Sequence, residues 1–260
     1  MLSFVDLHVH LLWGLDDGPR TLEDALEMCA LAVADGTGTA AALAHQNEGW
    51  PDNTPERIRQ AVSELKLQLA VNQIPLNVVP SSEVMIQLDF EESLTEGKYL
   101  TVGDHGRFLL VELPANISLD IRPIADTLLQ RNIVPIIAHA ERYPDVFYHE
   151  GFVEELVHMG CIIQVNAGSI TMPQARREEK ILKSWFQRNL VHLVASDGHS
   201  TVRRPPKIRS AYDRISHWTN QGVADRVCSL HGNIIINNLP WRPLPIIPAQ
   251  TRTWFDKLFS

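Results

Sequence analysis

Seven short apolar runs, near residues 2–9, 38–44, 76–82, 107–113, 133–138, 161–166 and 190–195, punctuate this chain, with helical spacing between them. Apolar runs of that length suit strands buried on both faces, and strands that alternate with helices pair in parallel. Two architectures satisfy the rhythm: a closed α/β barrel and an open, doubly wound sheet. At 260 residues a single domain suffices, because a closed barrel of this kind takes about 250 residues.

The helical segments carry their own boundary signals. Thr21-Leu22-Glu23-Asp24 is a capping sequence that opens an amphipathic helix ending near Gly36, and Thr54-Pro55-Glu56 opens another that runs to about Asn72. Further helices are expected near 119–131, 150–159, 174–189 and 205–230. From Leu239 onward the rhythm stops. Pro240, Pro243, Pro245 and Pro248 exclude both a helix interior and a central strand. The expected organisation is therefore one domain over 1–239 and an extended tail over 240–260 that packs Trp241 and Trp254 against it, rather than a partner-binding proline motif.

Composition removes several classes of function. A formal charge of −8 argues against a nucleic-acid surface, since phosphate-backbone binding draws its affinity from clustered Lys and Arg. No apolar run approaches the ~20 residues needed to cross a bilayer, and the N-terminus lacks a basic region followed by an apolar stretch. The expectation is a cytoplasmic protein with no membrane insertion. Cys29, Cys161 and Cys228 are far apart, without a Cys-x-x-Cys pair, which supports neither a disulfide framework nor a thiolate zinc site. None has an arginine six positions on, as a cysteine-based phosphatase loop would require.

The chemistry-bearing residues sit at the ends of the apolar runs. His8 and His10 close the first, His45 follows the second, Glu83 the third, Glu112 ends the fourth, His139 closes the fifth, and Asp197 and His199 follow the seventh. Asp17, in the loop after the first run, completes a set of nine. In a parallel barrel the C-terminal strand ends converge on one face, so these positions meet around one cavity. Each alone has a plain structural reading: a hydrogen-bonded core histidine, a buried ion pair, a helix cap. Together they form a donor set of imidazole and carboxylate suited to manganese, iron, zinc or cobalt, whereas magnesium or calcium alone would call for oxygen donors only. Nine donors exceed the four to six places of one ion, so two or three ions are expected. Arg176-Arg177-Glu178-Glu179-Lys180 mixes signs and reads as a solvated helix face.

His8-x-His10, Asp16-Asp17-Gly18, Glu83, Val111-Glu112-Leu113-Pro114, Ala138-His139-Ala140-Glu141-Arg142-Tyr143 and Ala195-Ser196-Asp197-Gly198-His199 resemble the PHP (polymerase and histidinol phosphatase) superfamily. Within it the chain is most similar to the bacterial manganese-dependent protein tyrosine phosphatases of capsule and exopolysaccharide loci. The resemblance runs collinearly over roughly residues 1–239. It implies a distorted (β/α)7 TIM-like barrel with three ions: one on His8, His10, Glu83 and Asp197, a second on Glu83, Glu112 and His139, a third on Asp17, His45 and His199. It also implies that Arg142 and Arg204 hold the substrate phosphate, a role that suits a bidentate guanidinium fork.

The implied reaction is metal-assisted hydrolysis of phosphotyrosine on a protein substrate, a tyrosine autokinase governing polysaccharide export. The leaving group would take its proton from His45, His199 or solvent. Gln46 and Asn47 depart from the family pattern, where relatives often carry His or basic side chains; this bears on substrate preference rather than on the chemistry. Relatives self-associate, and a homo-oligomer stays open because no stretch of the sequence marks an interface. The competing readings are a histidinol-phosphate phosphatase or other small-molecule phosphoesterase, a PHP exonuclease, which would need a basic groove, and a metal-binding regulatory scaffold.

Overall fold

The structure, a computed structural model, describes residues 2–114 and 118–249. Seven strands form one parallel sheet in sequence order: β1 (Phe4–Val9), β2 (Thr37–Gln46), β3 (Asn77–Met85), β4 (Phe108–Glu112), β5 (Val134–Ile137), β6 (Ile162–Asn166) and β7 (Leu193–Ala195). The outer edges meet just past β7. The Asp197 N–H donates to the His8 carbonyl at 2.8 Å and the His10 N–H to the Gly198 carbonyl at 2.9 Å, with a parallel bridge between Val9 and Gly198. The α/β fold is therefore a (β/α)7 TIM-like barrel, distorted because this seam is a single bridge rather than a full ladder. An open sheet is excluded by the same contacts.

Side chains alternate along a strand, so each strand offers one row to the barrel interior. Val5, Leu7, Ala41, Leu43, Phe108, Leu110, Ile136, Ile162 and Leu193 belong to one buried interior cluster, with Val102, Ile235 and Ile236 beneath it. Followed toward the C-terminal end, the same rows change character. Ala41 and Leu43 lead to His45, Phe108 and Leu110 lead to Glu112, and Ile162 leads to Gln164 and Asn166. Period-two patterning thus fills the lower barrel with hydrocarbon and aims polar groups at the upper mouth.

The outward alanines of β2, Ala40, Ala42 and Ala44, leave room for Met28, Ile58, Leu65 and Leu69 from two covering helices. The first, Leu22–Asp35, starts from a reciprocal capping box between Thr21 and Asp24 and stops at Gly36, whose φ of 111° is left-handed. The second, Pro55–Val71, uses Thr54 as its cap and Pro55 in its first turn.

One helix differs from its expected extent. The pattern over 205–230 is broken: the chain is helical over Arg209–Trp218, restarts over Gln221–Asp225, passes through a π-turn at Arg226–Leu230 and ends with His231–Ile236. The Asn220 side chain accepts from the Val223 N–H, a local bond that competes with helix continuation and starts a new one. Short helices at Phe90–Thr95, Pro144–Phe147 and Ala167–Thr171 are too brief for a periodic signal.

Residues 241–249 carry no helix or strand yet lie against the domain. The Trp241 ring meets those of His192 and His231 edge-on, with centroids 5.5 and 4.9 Å apart. The Ile247 N–H donates to the Arg188 carbonyl at 3.0 Å, and Arg188 Nε returns a bond to the Ile247 carbonyl at 2.9 Å. Trp254 lies outside the described residues.

Candidate metal centre

All nine candidate residues lie at the C-terminal mouth. His8 is carried by β1 with His10 just beyond it, and Asp17 by the following loop. His45 and Glu83 lie within β2 and β3 rather than after them, Glu112 ends β4, and His139, Asp197 and His199 follow β5 and β7. Glu83 occupies the centre: its carboxylate oxygens are 2.9 Å from His139 Nε2, 3.2 Å from His8 Nε2, 3.3 Å from His10 Nε2 and 3.2 Å from His45 Nδ1. Asp197 Oδ1 lies 3.5 Å from His8 and 3.4 Å from His199 Nδ1. Asp17 Oδ1 lies between His45 and His199 Nε2, at 3.4 and 3.3 Å.

Four overlapping groups each bring one donor atom per residue within 4.8 Å of the others: His10, Asp17, His45 and His199; His8, His10 and Asp197; His8, Glu83 and His139; His45, Glu83 and Glu112. Buried polar atoms ordinarily find partners. Here His8 Nε2, His10 Nε2, His45 Nδ1, His199 Nε2 and Glu112 Oε2 have no aligned hydrogen bond. Unpartnered imidazole nitrogens converging on carboxylates fit a borderline divalent cation. His10 joins the group of Asp17, His45 and His199, so these sets overlap more than the three ligand sets implied by the resemblance.

Protonation follows the geometry. Burial opposes ionisation of Glu83, but the neighbouring His8 charge, the close His10 imidazole and the hydrogen bond from His139 hold its carboxyl well below the ordinary range. Burial would lower His8, yet Glu83 and Asp197 pull it up to about 9; His10 is likewise raised, against burial, by Asp16 and Glu83. Glu112 moves the other way, to about 7, through burial and the Glu83 charge. The imidazoles of His199 and His45, 3.3 and 3.4 Å away, keep Asp17 ionised.

The residues that aim these donors were not singled out as functional by sequence. Asp16 Oδ2 accepts from His10 Nδ1 at 2.7 Å and from the His45 N–H at 3.0 Å, while Oδ1 accepts from the Gly18 N–H. Gln164 Oε1 accepts from His8 Nδ1 at 3.1 Å and from the His139 N–H at 2.7 Å. Gln164 Nε2 then donates to Asn166 Oδ1, and Asn166 Nδ2 to Asp197 Oδ2, both at 2.8 Å. With Nδ1 of His8 and His10 committed as donors, each Nε2 lone pair faces the cluster. The backbone is held in unusual conformations at two of the nine, His139 at φ 32° and Asp197 at φ 52°, as befits a site over-determined by its surroundings.

Asp16→Asn is expected to weaken metal affinity by about 10- to 100-fold while leaving much of the activity at saturating metal. A metal titration read by calorimetry and by turnover checks this; unchanged affinity would deny Asp16 its orienting role.

Two arginines rim the cluster. Arg142 Nη1 and Arg204 Nη1 lie 3.4 and 3.2 Å from Asp197 Oδ2, and Arg204 Nη2 lies 3.6 Å from Asp17. Arg142 does not pair with its neighbour Glu141, which is buried and accepts instead from the Asn166 N–H and Ser169 Oγ.

A parallel barrel whose C-terminal mouth gathers buried imidazoles, carboxylates and a guanidinium rim defines a class, that of barrel proteins with a metal-binding mouth. Residues 4–237 match the family described as capsular polysaccharide synthesis, CpsB/CapC, and the chain belongs to that family. It is 31% identical over 221 residues to the tyrosine-protein phosphatase CpsB of Streptococcus pneumoniae, covering 82% of this chain and 89% of the relative. To the tyrosine-protein phosphatase YwqE of Bacillus subtilis it is 30% identical over 201 residues, covering 77% and 79%. The fold superposes with a TM-score of 0.86 on a solved chain from the work on YwqE and CpsB, described as unique metal-dependent tyrosine phosphatases, at 26% identity over 95% of this chain and all of that one.

Proposed function

We propose that this chain is a metal-dependent protein tyrosine phosphatase, a phosphoric monoester hydrolase of the PHP superfamily. The observation that carries it is the convergence of unpartnered imidazole nitrogens on Glu83, Asp17 and Asp197 beside Arg142 and Arg204; the names of its relatives support the same reading. His8, His10, Asp17, His45, Glu83, Glu112, His139, Asp197 and His199 would hold two or three divalent ions, manganese first and iron, zinc, cobalt or magnesium as alternatives. Bound ions supply Lewis acidity, which acidifies water and offsets phosphoryl charge.

The chain's own groups do the rest. Arg142 and Arg204 exchange their contacts with Asp197 for phosphate oxygens and set the ester's orientation, a substitution suited to guanidinium forks. Asp16, Gln164 and Asn166 keep the donor atoms aimed. His45 and His199, which flank the exposed Asp17, stand where a proton can return to the phenolate oxygen; phenolate is a good enough leaving group for water to compete.

The proposed substrate is a phosphotyrosine protein, a tyrosine autokinase of capsule or exopolysaccharide synthesis, met in the cytoplasm. Among the described residues no helix is long and apolar enough to cross a membrane. Residues 1–239 would form the catalytic domain and 240–260 an accessory tail. A second reading, a histidinol-phosphate phosphatase, gains support from a cleft of about 560 Å³ beside Gln46 and Asn47 that is lined by Glu48, Glu56, Asp89 and Glu96, since carboxylates suit an amine-bearing substrate.

The manganese-loaded protein should hydrolyse a phosphotyrosyl peptide and leave phosphoserine and a phosphodiester largely untouched. Faster turnover of histidinol phosphate would favour the second reading, and failure on every monoester would sink both.

A further inference from the structure

The mouth of the barrel is electrically lopsided. On the side of β2 and β3, the cleft described above presents four carboxylates against one lysine, Lys98. On the side of β6 and β7, a cleft of about 500 Å³ begins at Asp197 and is lined by Arg142, Arg203, Arg204 and Lys207. Among the described residues Asp197 is the one carboxylate lining it. Arg142 and Arg204 are accounted for by Asp197 and by the phosphate role. Arg203 and Lys207 are not: both are exposed, and neither side chain has an acidic partner among the described residues.

These two cations stand on a fixed loop. The His199 N–H donates to the Arg204 carbonyl at 2.9 Å, the Arg203 N–H to Ser200 Oγ at 3.1 Å, and the Ile208 N–H to Asp35 Oδ2 at 2.6 Å. Pro206 is buried against Gly198 so closely that a Cβ there would come within 2.9 Å of it. The loop is thus clamped to the segment that closes the barrel. On a protein of net charge −8, maintaining uncompensated cations at this place favours an anionic visitor over solvent.

We propose that Arg203 and Lys207 select phosphotyrosyl segments that carry a carboxylate side chain beside the phosphotyrosine. The inference rests on the phosphatase reading. With the phosphate at Arg142 and Arg204, an extended segment advances about 3.3–3.6 Å per residue, so side chains flanking the phosphotyrosine enter the adjoining cleft. A carboxylate there gains two cations, whereas the opposite cleft offers four carboxylates and, among the described residues, no free cation, Glu56 and Glu96 being already paired with Arg59 and Lys98; the lopsided mouth sets which way an acidic segment lies.

The test uses the manganese-loaded protein and two phosphotyrosyl peptides identical except that flanking Glu is replaced by Gln, with p-nitrophenyl phosphate as a substrate that has no flank. Wild type should prefer the Glu peptide by roughly three- to tenfold in kcat/KM, mostly through KM, the scale of one or two exposed ion pairs. High salt should erase the preference. The double variant R203E/K207E should lose or invert it while hydrolysing p-nitrophenyl phosphate within about twofold of wild type. Equal turnover of the two peptides by wild type, or a preference that survives in the double variant, overturns the proposal while the phosphatase reading stands. No turnover of any of the three esters overturns that reading, and this one with it.

Discussion

Glu83→Gln will lower hydrolysis of a phosphotyrosyl peptide by roughly 10³-fold or more, beyond the 10- to 100-fold that follows loss of an outer partner. The expectation comes from position: one carboxylate lies within 3.3 Å of nitrogen atoms on His8, His10, His45 and His139. Glutamine keeps the shape and removes the charge, presenting an amide N–H₂ to part of the same ring of donors. The metal-free variant should also be less stable than the metal-free wild type at pH 8, because removing one partner of a buried pair takes away the charge that holds His8.

The pH dependence of stability then weakens. In the metal-free wild type, His8 is raised from 6.5 to about 9, so its contribution is full below about pH 6.5 and fades as pH climbs through 9. Without Glu83, only Asp197 is left to oppose the burial that lowers His8, so the share of that contribution owed to Glu83 is lost. Thermal unfolding of both proteins between pH 5.5 and 9, with turnover at saturating manganese, checks both halves. Near-wild-type turnover would remove Glu83 from the centre of the site.

Chelation should abolish turnover, and manganese should restore it and stiffen the fold. A ligand at 100 times its Kd adds about 2.7 kcal/mol per site, which for a chain of this size corresponds to a rise of about 5–10 °C in Tm. The cluster's buried, mutually repelling and unpartnered donors are what the ion relieves. Binding also expels protons held by His8 and His10, so affinity should rise between pH 6 and 8. Turnover that survives exhaustive chelation, or a Tm indifferent to manganese, would contradict a metal centre.

Much of this fold was legible because the seven buried strands are short, largely apolar runs and two covering helices begin at Thr21 and Thr54 with side-chain caps. The nine mouth residues were legible because His, Asp and Glu at strand ends stand out against hydrocarbon. Asp16, Gln164 and Asn166 were not: two are neutral amides, which do not stand out as ligands for a borderline metal beside His, Asp and Glu, and Asp16 is overshadowed by its neighbour Asp17. Their roles depend on contacts such as Gln164 to His8, 156 positions apart, which periodicity does not encode. The break at Asn220 was lost for a related reason. An Asn inside an otherwise periodic stretch reads as a tolerated surface residue until its side chain is seen capping Val223.

β6 contributes none of the nine donors, yet it orients donors that follow β5 and β7 on either side and one on β1 across the seam. Its Gln164 and Asn166 hold His8, His139 and Asp197 through amide groups. Amides do not ionise across the physiological range. The surrounding imidazoles and carboxylates exchange protons as pH or loading changes, but the jig that aligns them carries the same charge throughout. An empty site and a full one are therefore registered against the same neutral ruler, and reloading after metal loss asks for no rearrangement of the strand that sets the alignment.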